Sequence, residues 1–169
     1  MARSDLAAVT DAGPLIHLDE LGCMDLLSGF SKTLVPYAVW REVAYHRPAL
    51  FTSCSSTLLQ TIAPNPPDII QTIAPLYGLH TGESEALSLC LSTPDCLFLT
   101  DDTAARLAAK ALGIKAHGTI GLIIRAIRTL QRTKPEVLEL LESVPKFSSL
   151  HIRPSLLNEV IISVQESNL

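Results

Sequence analysis

Two adjacent carboxylates, Asp101 and Asp102, follow the apolar run at residues 97–99 and directly precede an alanine-rich helical pattern over residues 103–112. A short apolar run of this kind is typical of a buried strand in a parallel sheet. Open α/β sheets bind ligands where such a strand ends and a helix follows. Two neighbouring acids repel each other there, so the pattern favours a bound divalent cation. Asp102 also suits the N-cap of the helix, and the sequence leaves both roles open.

A third acid, Asp11, follows another apolar run, at residues 6–10. Pro14 suits the first turn of a helix, because its missing N–H would have no partner there. The run therefore predicts a first strand with Asp11 at its carboxyl end. Parallel strands end at one edge of a sheet, so we expect Asp11 near Asp101. The residues alone are equally consistent with a helix cap at Asp11.

Two glutamates lie in predicted helices close to this edge. Glu83 is in the first turn of a helix over residues 82–91, on its buried face, where the helix dipole by itself favours an acid. Glu42 flanks the apolar stripe of a helix over residues 37–44, and periodicity alone favours a solvated position for it. Glu85 is expected to face outward.

The absence of several common catalytic and binding motifs from the sequence narrows the range of reactions that the chain could catalyse. The chain has no glycine-rich phosphate loop, no Ser/His/Asp set and no Cys/His cluster with zinc spacing. Cys23, Cys54, Cys90 and Cys96 lack paired spacing and are interpreted as small apolar side chains, the last two at buried positions. A pocket of carboxylate oxygens suits Mg²⁺ or Mn²⁺. Such an ion activates water and stabilises charge on phosphorus, which is the chemistry of phosphodiester cleavage.

Short apolar strands alternate with helical patterns along the chain, which predicts an α/β fold. The predicted strands cover residues 6–10, 33–35, 58–62, 97–99 and 114–117. Gly113 is expected to end the helix before the last strand. Two further amphipathic patterns follow, at residues 137–144 and 156–164. We therefore divide the chain into a core over residues 1–133 and a C-terminal helical extension over residues 134–169, packed on the core.

The composition is that of a globular protein. Apolar residues make up 47% and charged residues 18%, which provides a core and little that is typical of disorder. The net charge of −4 argues against a surface that coats nucleic acid, although bound metal would offset the acids of an enzyme that acts on it. No apolar run reaches the length of a membrane span and no secretion signal is recognisable, so we expect a cytoplasmic protein without membrane contact.

A basic row and a histidine lie near the end of the core. Arg125, Arg128 and Arg132 share one face of a predicted helix, where they could contact phosphates, although a solvated stripe is the commoner outcome. His117 ends the last predicted strand and has no partner that the sequence reveals.

Five motifs occur in a characteristic order: residues 9–16 (VTDAGPLI), 35–36 with 39–43 (VP, VWREV), 82–87 (GESEAL), 99–102 with 105–106 (LTDD, AR) and 118–122 (GTIGL). Together they resemble the PIN domain family, and within it the VapC-like ribonuclease toxins of prokaryotic toxin–antitoxin pairs. The resemblance covers residues 5–130 and extends weakly to the C-terminal helix. It implies an α/β/α sandwich around a twisted parallel sheet of four or five strands, with a Mg²⁺ or Mn²⁺ site built from three or four acids.

The resemblance also implies roles for the acids. Asp11 would be the first-strand ligand and Glu42 the second acid, which helps to orient the attacking water. Glu83 stands where many relatives have Asp. The last acid of the family matches Asp102, with Asp101 beside it, and both stay candidates for the metal ligand.

Four further residues are candidates for substrate contact. Thr10 and Thr100 would line the site as hydroxyl donors, and Arg106 and Arg125 would meet the RNA. The partners implied are an RNA substrate, a small antitoxin protein and a second copy of the chain in a homodimer.

The leading hypothesis is a metal-dependent endoribonuclease that acts as the toxin of a toxin–antitoxin pair. A rival from another class is a catalytically silent PIN-like module that holds a protein partner through its helices. A receiver-like phosphoacceptor also gathers acids at a sheet edge, but its acid pair would follow the first strand, whereas here the pair comes late.

Overall fold

The computed structural model describes residues 6–53 and 58–167, so Cys54 lies outside the described residues. Strands and helices alternate through most of this part of the chain. The strands are β1 (Ala7–Thr10), β2 (Thr33–Pro36), β3 (Leu58–Thr61), β4 (Cys96–Leu99) and β5 (Ala116–His117). The helices are α1 (Ala12–Glu20), α2 (Tyr37–His46), α3 (Leu50–Ser53), α4 (Asp68–Tyr77), α5 (Thr81–Ser92), α6 (Thr103–Ala111), α7 (Thr119–Arg128), α8 (Lys134–Phe147) and α9 (Pro154–Glu166), with a 3₁₀ helix over Met24–Gly29.

The strands of the described residues form one parallel sheet in the order β3-β2-β1-β4-β5. The chain builds outward from β1 to β3 on one side, and β4 then returns to the other side of β1. Strand order therefore reverses between β1 and β4. In open α/β sheets the crevice at the carboxyl ends of two such strands is the usual place for a ligand.

The sheet separates two apolar cores. In β4, Leu97 and Leu99 lie in the larger core and Phe98 in the smaller one, as the two-residue period of a strand requires. Side chains of α1, α2, α7 and α8 fill the larger core, and those of α4, α5 and α6 fill the smaller. Because helices cover both faces, the strands are nearly continuous apolar runs. The predicted α/β/α sandwich is confirmed.

The helices after residue 133 share the larger core. Val137, Leu141 and Val144 of α8 are completely buried in the same cluster as the sheet residues. α9 adds Leu157 and Val164 to that cluster. The division of the chain at residue 133 stays a prediction, and α8 and α9 contribute to the stability of the sheet layer.

The last strand is shorter than predicted. β5 covers Ala116–His117 instead of 114–117, because Ile114 N still donates to Ala109 O in the turn that ends α6. Gly113 has φ of +72° in that turn. A left-handed residue after the last helical turn is the usual position for glycine, so the predicted end of the helix is confirmed.

The described cysteines are free thiols. Cys90 is buried, as predicted, and so is Cys23. Cys96 was also predicted to be buried, and this was wrong: it is half-buried because it is the first residue of β4 and lies at the rim of the sheet. In the ranges 6–53 and 58–167, no helix has both the length and the apolar character needed to cross a membrane.

Candidate functional site

The carboxyl ends of β1 and β4 lie side by side where the strand order reverses. Thr10 pairs with Leu99 in the register of these strands, so Asp11 and Thr100 follow at the same level. Asp11 N donates to Leu99 O at 2.8 Å, which joins the start of α1 to β4. The register thus brings the acid after the first strand to the segment that carries the late aspartates.

Asp11 caps α1 with one oxygen and turns the other toward β4. Its Oδ1 accepts from Ala12 N at 2.8 Å, so α1 begins at Ala12, and its Oδ2 accepts from Thr100 Oγ1 at 3.2 Å. Burial raises the pKa of Asp11 from 3.8 to about 6; the hydrogen bond from Ala12 N lowers it, and the charges of Glu83 and Glu42 raise it. A charged carboxylate is costly here, and a bound cation would relieve that cost.

Glu83 and Glu42 approach this carboxylate from α5 and α2. Glu83 is 8% exposed, and its Oε2 accepts from His80 N at 2.7 Å, which caps α5. Burial raises the pKa of Glu83, and the charges of Asp102 and Glu42 raise it further against the His80 hydrogen bond. Glu42 is exposed, and a Cβ on Gly82 would lie 3.9 Å from its Oε2, so α2 brings Glu42 to the start of α5.

Asp11, Glu42, Glu83 and Asp102 form what we call the acidic group. Asp102 is both a member of this group and a helix cap. Its Oδ1 accepts from Ala105 N at 2.8 Å, and its own N–H donates to Thr100 Oγ1 at 3.2 Å. No hydrogen bond or ion pair of the described residues involves Oδ2. One oxygen therefore caps α6 while the other stays available, and the two roles that the sequence left open are compatible.

Asp101, in contrast, is held by the protein. Its Oδ1 accepts from Thr119 N at 2.7 Å, and its Oδ2 accepts from Thr119 Oγ1 at 2.6 Å and from His17 Nδ1 at 2.8 Å. Burial would raise the pKa of Asp101, but the hydrogen bonds from His17 and Thr119 outweigh burial and hold it below its usual range. A charged carboxylate only accepts, so His17 Nδ1 is the donor. Asp101 thus fits a structural link between β4, α1 and α7 better than a metal ligand.

Sequence reasoning did not find the partners of Asp101. His17 lies 84 residues away and Thr119 lies 18 residues away, and neither carries a local signal of the contact. The one available signal is the glycine before Thr119. A Cβ on Gly118 would come within 2.5 Å of Asp101 Oδ1, so only glycine allows the approach.

The two threonines differ in what they offer to the site. Thr10 is completely buried, and its hydroxyl donates to the carbonyl oxygen of Asp11 at 2.9 Å, so it faces the backbone. Thr100 is also buried, and its hydroxyl lies between Asp11 Oδ2 and Asp102 N. Thr100 therefore links the first and last acids of the group.

The two arginines lie apart. Arg106 of α6 donates to Thr100 O at 3.4 Å, at the rim of the acidic group. Arg125 lies near the other end of α7, with its guanidinium 4.5 Å from the centre of the Phe30 ring. Among the described residues, no hydrogen bond or ion pair joins Arg125 to the acids. Position favours Arg106 over Arg125 as a contact for a ligand at this edge.

The acidic group has the donor chemistry of a site for Mg²⁺ or Mn²⁺. Within residues 6–53 and 58–167, no Lys, Arg or His forms an ion pair with Asp11, Glu42, Glu83 or Asp102. In the same ranges no three His, Cys, Asp or Glu side chains are arranged to hold an ion directly. Mg²⁺ keeps several of its waters and needs only one or two direct carboxylates. These residues therefore fit a partly hydrated ion of this kind.

Glu85 corrects an expectation from the sequence. It is half-buried, and its Oε2 accepts from Ala38 N at 2.9 Å, so it caps α2 from α5. The expected outward position was wrong because helical periodicity does not reveal a cap supplied by another helix. Pro36, the N-cap residue of α2, has no side-chain hydrogen bond to offer.

We predict that Glu85→Ala lowers the free energy of unfolding by about 1 kcal/mol, the usual cost of a lost N-cap. The start of α2, which carries Glu42, would lose a hydrogen bond to Ala38 N. Urea unfolding followed by circular dichroism measures the change. Glu85→Gln keeps an acceptor and should lose less than half as much; equal losses for the two variants would contradict the cap.

Comparison with known proteins agrees with this architecture. A family model described as a PIN domain matches residues 7–166, which include all the strands and helices named above. No curated protein and no solved structure matches the chain.

Proposed function

Because this chain belongs to the PIN domain family, whose members are generally nucleases, we propose that it is an endoribonuclease that depends on Mg²⁺ or Mn²⁺. Its reaction is the hydrolysis of phosphodiester bonds in RNA. The fold is nuclease-like, and the choice of RNA rests on the resemblance to VapC-like toxins.

One observation carries the metal-dependent part of the proposal. Four carboxylates, those of Asp11, Glu42, Glu83 and Asp102, come together from separate segments. Burial raises the pKa of Asp11 and of Glu83, and the charges of neighbouring acids in the group raise both further. Such an arrangement destabilises the protein unless a cation joins the group. Elevated pKa values of neighbouring acids in a crevice are typical of functional sites.

We assign a separate role to each residue of the site. Asp11, Glu83 and Asp102 would hold a partly hydrated cation, one or two of them directly and the rest through its waters. In each of them one oxygen also takes part in a helix cap, which limits the rotation of the carboxylate. Glu42 is exposed at the edge of this group, where its carboxylate can accept from the attacking water, and we assign the orientation of that water to it. Thr100 keeps the first and last acids in place, and Asp101 keeps the end of β4 in place.

When bound, the ion lowers the pKa of water and stabilises the negative charge that develops on the phosphate. The chain itself contributes the position of the phosphate and of the water relative to the acids. The acidic group alone would repel RNA, and Arg106 at its rim supplies the opposite charge.

We expect Mn²⁺ to bind this group and to stabilise the fold. At a Mn²⁺ concentration about 100 times the Kd, a single site that exists only in the folded state adds about 2.7 kcal/mol to the free energy of unfolding. Titration calorimetry and thermal unfolding measure the two effects. Glu83→Gln should abolish both, whereas Glu139→Gln, at an exposed position of α8, should change neither.

The same titration separates the proposal from its rival. A silent PIN-like module that binds a protein would show no Mn²⁺ binding that depends on Glu83 and no cleavage of single-stranded RNA in Mn²⁺. Cleavage by the wild-type protein that stops in EDTA and returns with added Mn²⁺ supports the nuclease.

The proposal extends to a toxin that is inhibited by a small antitoxin and that forms a homodimer. This part rests on the resemblance to VapC-like toxins. Its test is co-expression with the product of the neighbouring reading frame: a small protein that co-purifies with the chain and stops RNA cleavage supports the pair. Size-exclusion chromatography with light scattering measures whether the chain alone is a dimer.

A further inference from the structure

A cavity of about 580 Å³ opens beside the acidic group, and the proposed function does not use it. It lies between the end of β5, the start of α7 and the segment that joins α8 to α9. Its volume falls within the range of about 300–1,000 Å³ that is usual for ligand pockets. It is therefore large enough to take a small ligand or one unit of a polymer.

The cavity borders the segment that carries the late aspartates. Asp101 and Thr103, which flank Asp102 in the chain, both line it, whereas Asp102 itself does not. Arg106 lines the cavity and also donates to the carbonyl oxygen of Thr100, the residue before the aspartate pair. A ligand that extends from the acidic group into the cavity would pass close to Arg106.

The charge of the lining favours an anion. Arg106 and Arg153 line the cavity together with His117 and His151, and among the residues that the structure describes Asp101 is the one acid in the lining. Asp101 already accepts three hydrogen bonds from the protein, so little of its charge is directed into the cavity. Arg153 is exposed at the start of α9, and its side chain forms no hydrogen bond or ion pair among the described residues.

The cavity is also lined by aliphatic side chains and by the planar ring of His117. Ile124 of α7 and Leu156 of α9 face the cavity from two helices, and Leu156 is 41% exposed. Burial lowers the pKa of His117, and the charges of Arg128 and Arg125 lower it further, so this imidazole is neutral near pH 7. A neutral ring beside aliphatic side chains suits the face of a nucleobase, and His and Arg are residues on which unstacked RNA bases stack.

We propose that this cavity binds one nucleotide of the RNA strand next to the scissile phosphate. The base lies against Ile124, Leu156 and the His117 ring, and the phosphate lies between Arg106 and Arg153. The proposal rests on the proposed function, because it takes single-stranded RNA as the substrate. It assigns to the α8–α9 segment a role in binding the substrate.

The phosphate part is tested by Arg153→Ala, with Lys146→Ala as the matched control at an exposed position of α8 outside the cavity. The measurement is the fluorescence anisotropy of a 5′-labelled single-stranded RNA octamer in EDTA, where no cleavage occurs. Loss of one charge-assisted contact should weaken binding about tenfold. It should also reduce the slope of log K against log salt by about 0.7. Equal effects of the two variants would overturn this contact.

The base part is tested by Leu156→Ser, with Ile162→Ser as the control. Both side chains are exposed apolar residues of α9, and only Leu156 lines the cavity. Leu156→Ser should weaken RNA binding several-fold and leave the salt slope unchanged, because it removes apolar contact and no charge. A weakening by Ile162→Ser of the same size would show that the helix surface, rather than the cavity, binds the RNA.

Failure of this proposal can be told apart from failure of the nuclease. If the wild-type protein cleaves RNA in Mn²⁺ but Arg153→Ala and Leu156→Ser bind the octamer as the wild type does, the nucleotide site is wrong and the nuclease stands. If the wild type never cleaves RNA but both variants lose binding relative to their controls, the nucleotide site stands and the nuclease is wrong.

Discussion

Replacement of Asp11 by Asn is expected to abolish Mn²⁺-dependent RNA cleavage while making the protein more stable. The loss of rate should be at least about 1,000-fold, since a metal site contributes several kcal/mol of transition-state stabilisation. The gain in stability follows from the cost of the buried charge. Asn keeps an acceptor for Ala12 N and an amide group toward Thr100, so the cap on α1 is retained.

The stability gain should depend on pH in a defined direction. The pKa of Asp11 is 3.8 ordinarily and about 6 in the fold, so between these values the folded protein holds more protons than the unfolded chain. The free energy of unfolding of the wild type therefore falls as pH rises through this window, and it stays lower above pH 6. At neutral pH and without metal, Asp11→Asn should be more stable by about 3 kcal/mol. At pH 4 the two proteins should differ little.

Chemical denaturation at several pH values in EDTA measures this difference. Glu139→Gln is the control, because Glu139 is exposed on α8 and lies outside the acidic group. Unchanged cleavage by Asp11→Asn would end the nuclease proposal. Lower stability at pH 7 than the wild type would contradict the buried-charge explanation.

Asp101 and Asp102, adjacent in the chain, should respond in opposite ways to substitution. Asp101→Ala removes the acceptor of three hydrogen bonds and leaves Thr119, which is completely buried, without its partner. We expect a loss of about 3 kcal/mol of stability, the cost of breaking a buried charge-assisted network. Asp102→Asn keeps the cap on Ala105 N, so its stability should change by less than about 0.5 kcal/mol. Its cleavage rate should nevertheless fall at least about 100-fold, because a ligand oxygen is lost.

Urea unfolding and single-turnover cleavage, measured on the same preparations, separate the two effects. His17→Ala is a useful companion to Asp101→Ala, since it removes one of the three donors and should lose part of the same stability. Wild-type stability of Asp101→Ala would contradict the structural role of Asp101, and wild-type activity of Asp102→Asn would contradict the role of Asp102 as a ligand.

Much of the fold could be predicted because its signals are local. Apolar runs bounded by turn residues placed the strands, and Gly113 marked the end of α6, since a positive φ there disfavours any residue with a Cβ. The order of five short motifs was enough to identify the family, which the family model confirms. Acids after strands also indicated the edge of the sheet at which the candidate site lies.

Other features depended on segments that are distant in the chain. The sequence could not show that Glu85 caps α2, or that His17 and Thr119 hold Asp101, because these contacts require α5 to lie beside α2 and α1 beside α7. It also could not show that the α8–α9 segment closes a cavity next to the acids.

The chain by itself therefore determined which residue types stand at the end of each strand, since strand and helix periods are properties of neighbouring residues. The cap hydrogen bonds of Asp11 and Asp102 are also local, because their donors lie within three residues. Tertiary structure alone decided how Asp101 is satisfied, since its donors come from α1 and α7 and must arrive within about 3 Å. Asp101 receives three such donors and is held in place, whereas Asp102 keeps one oxygen without a protein donor among the described residues.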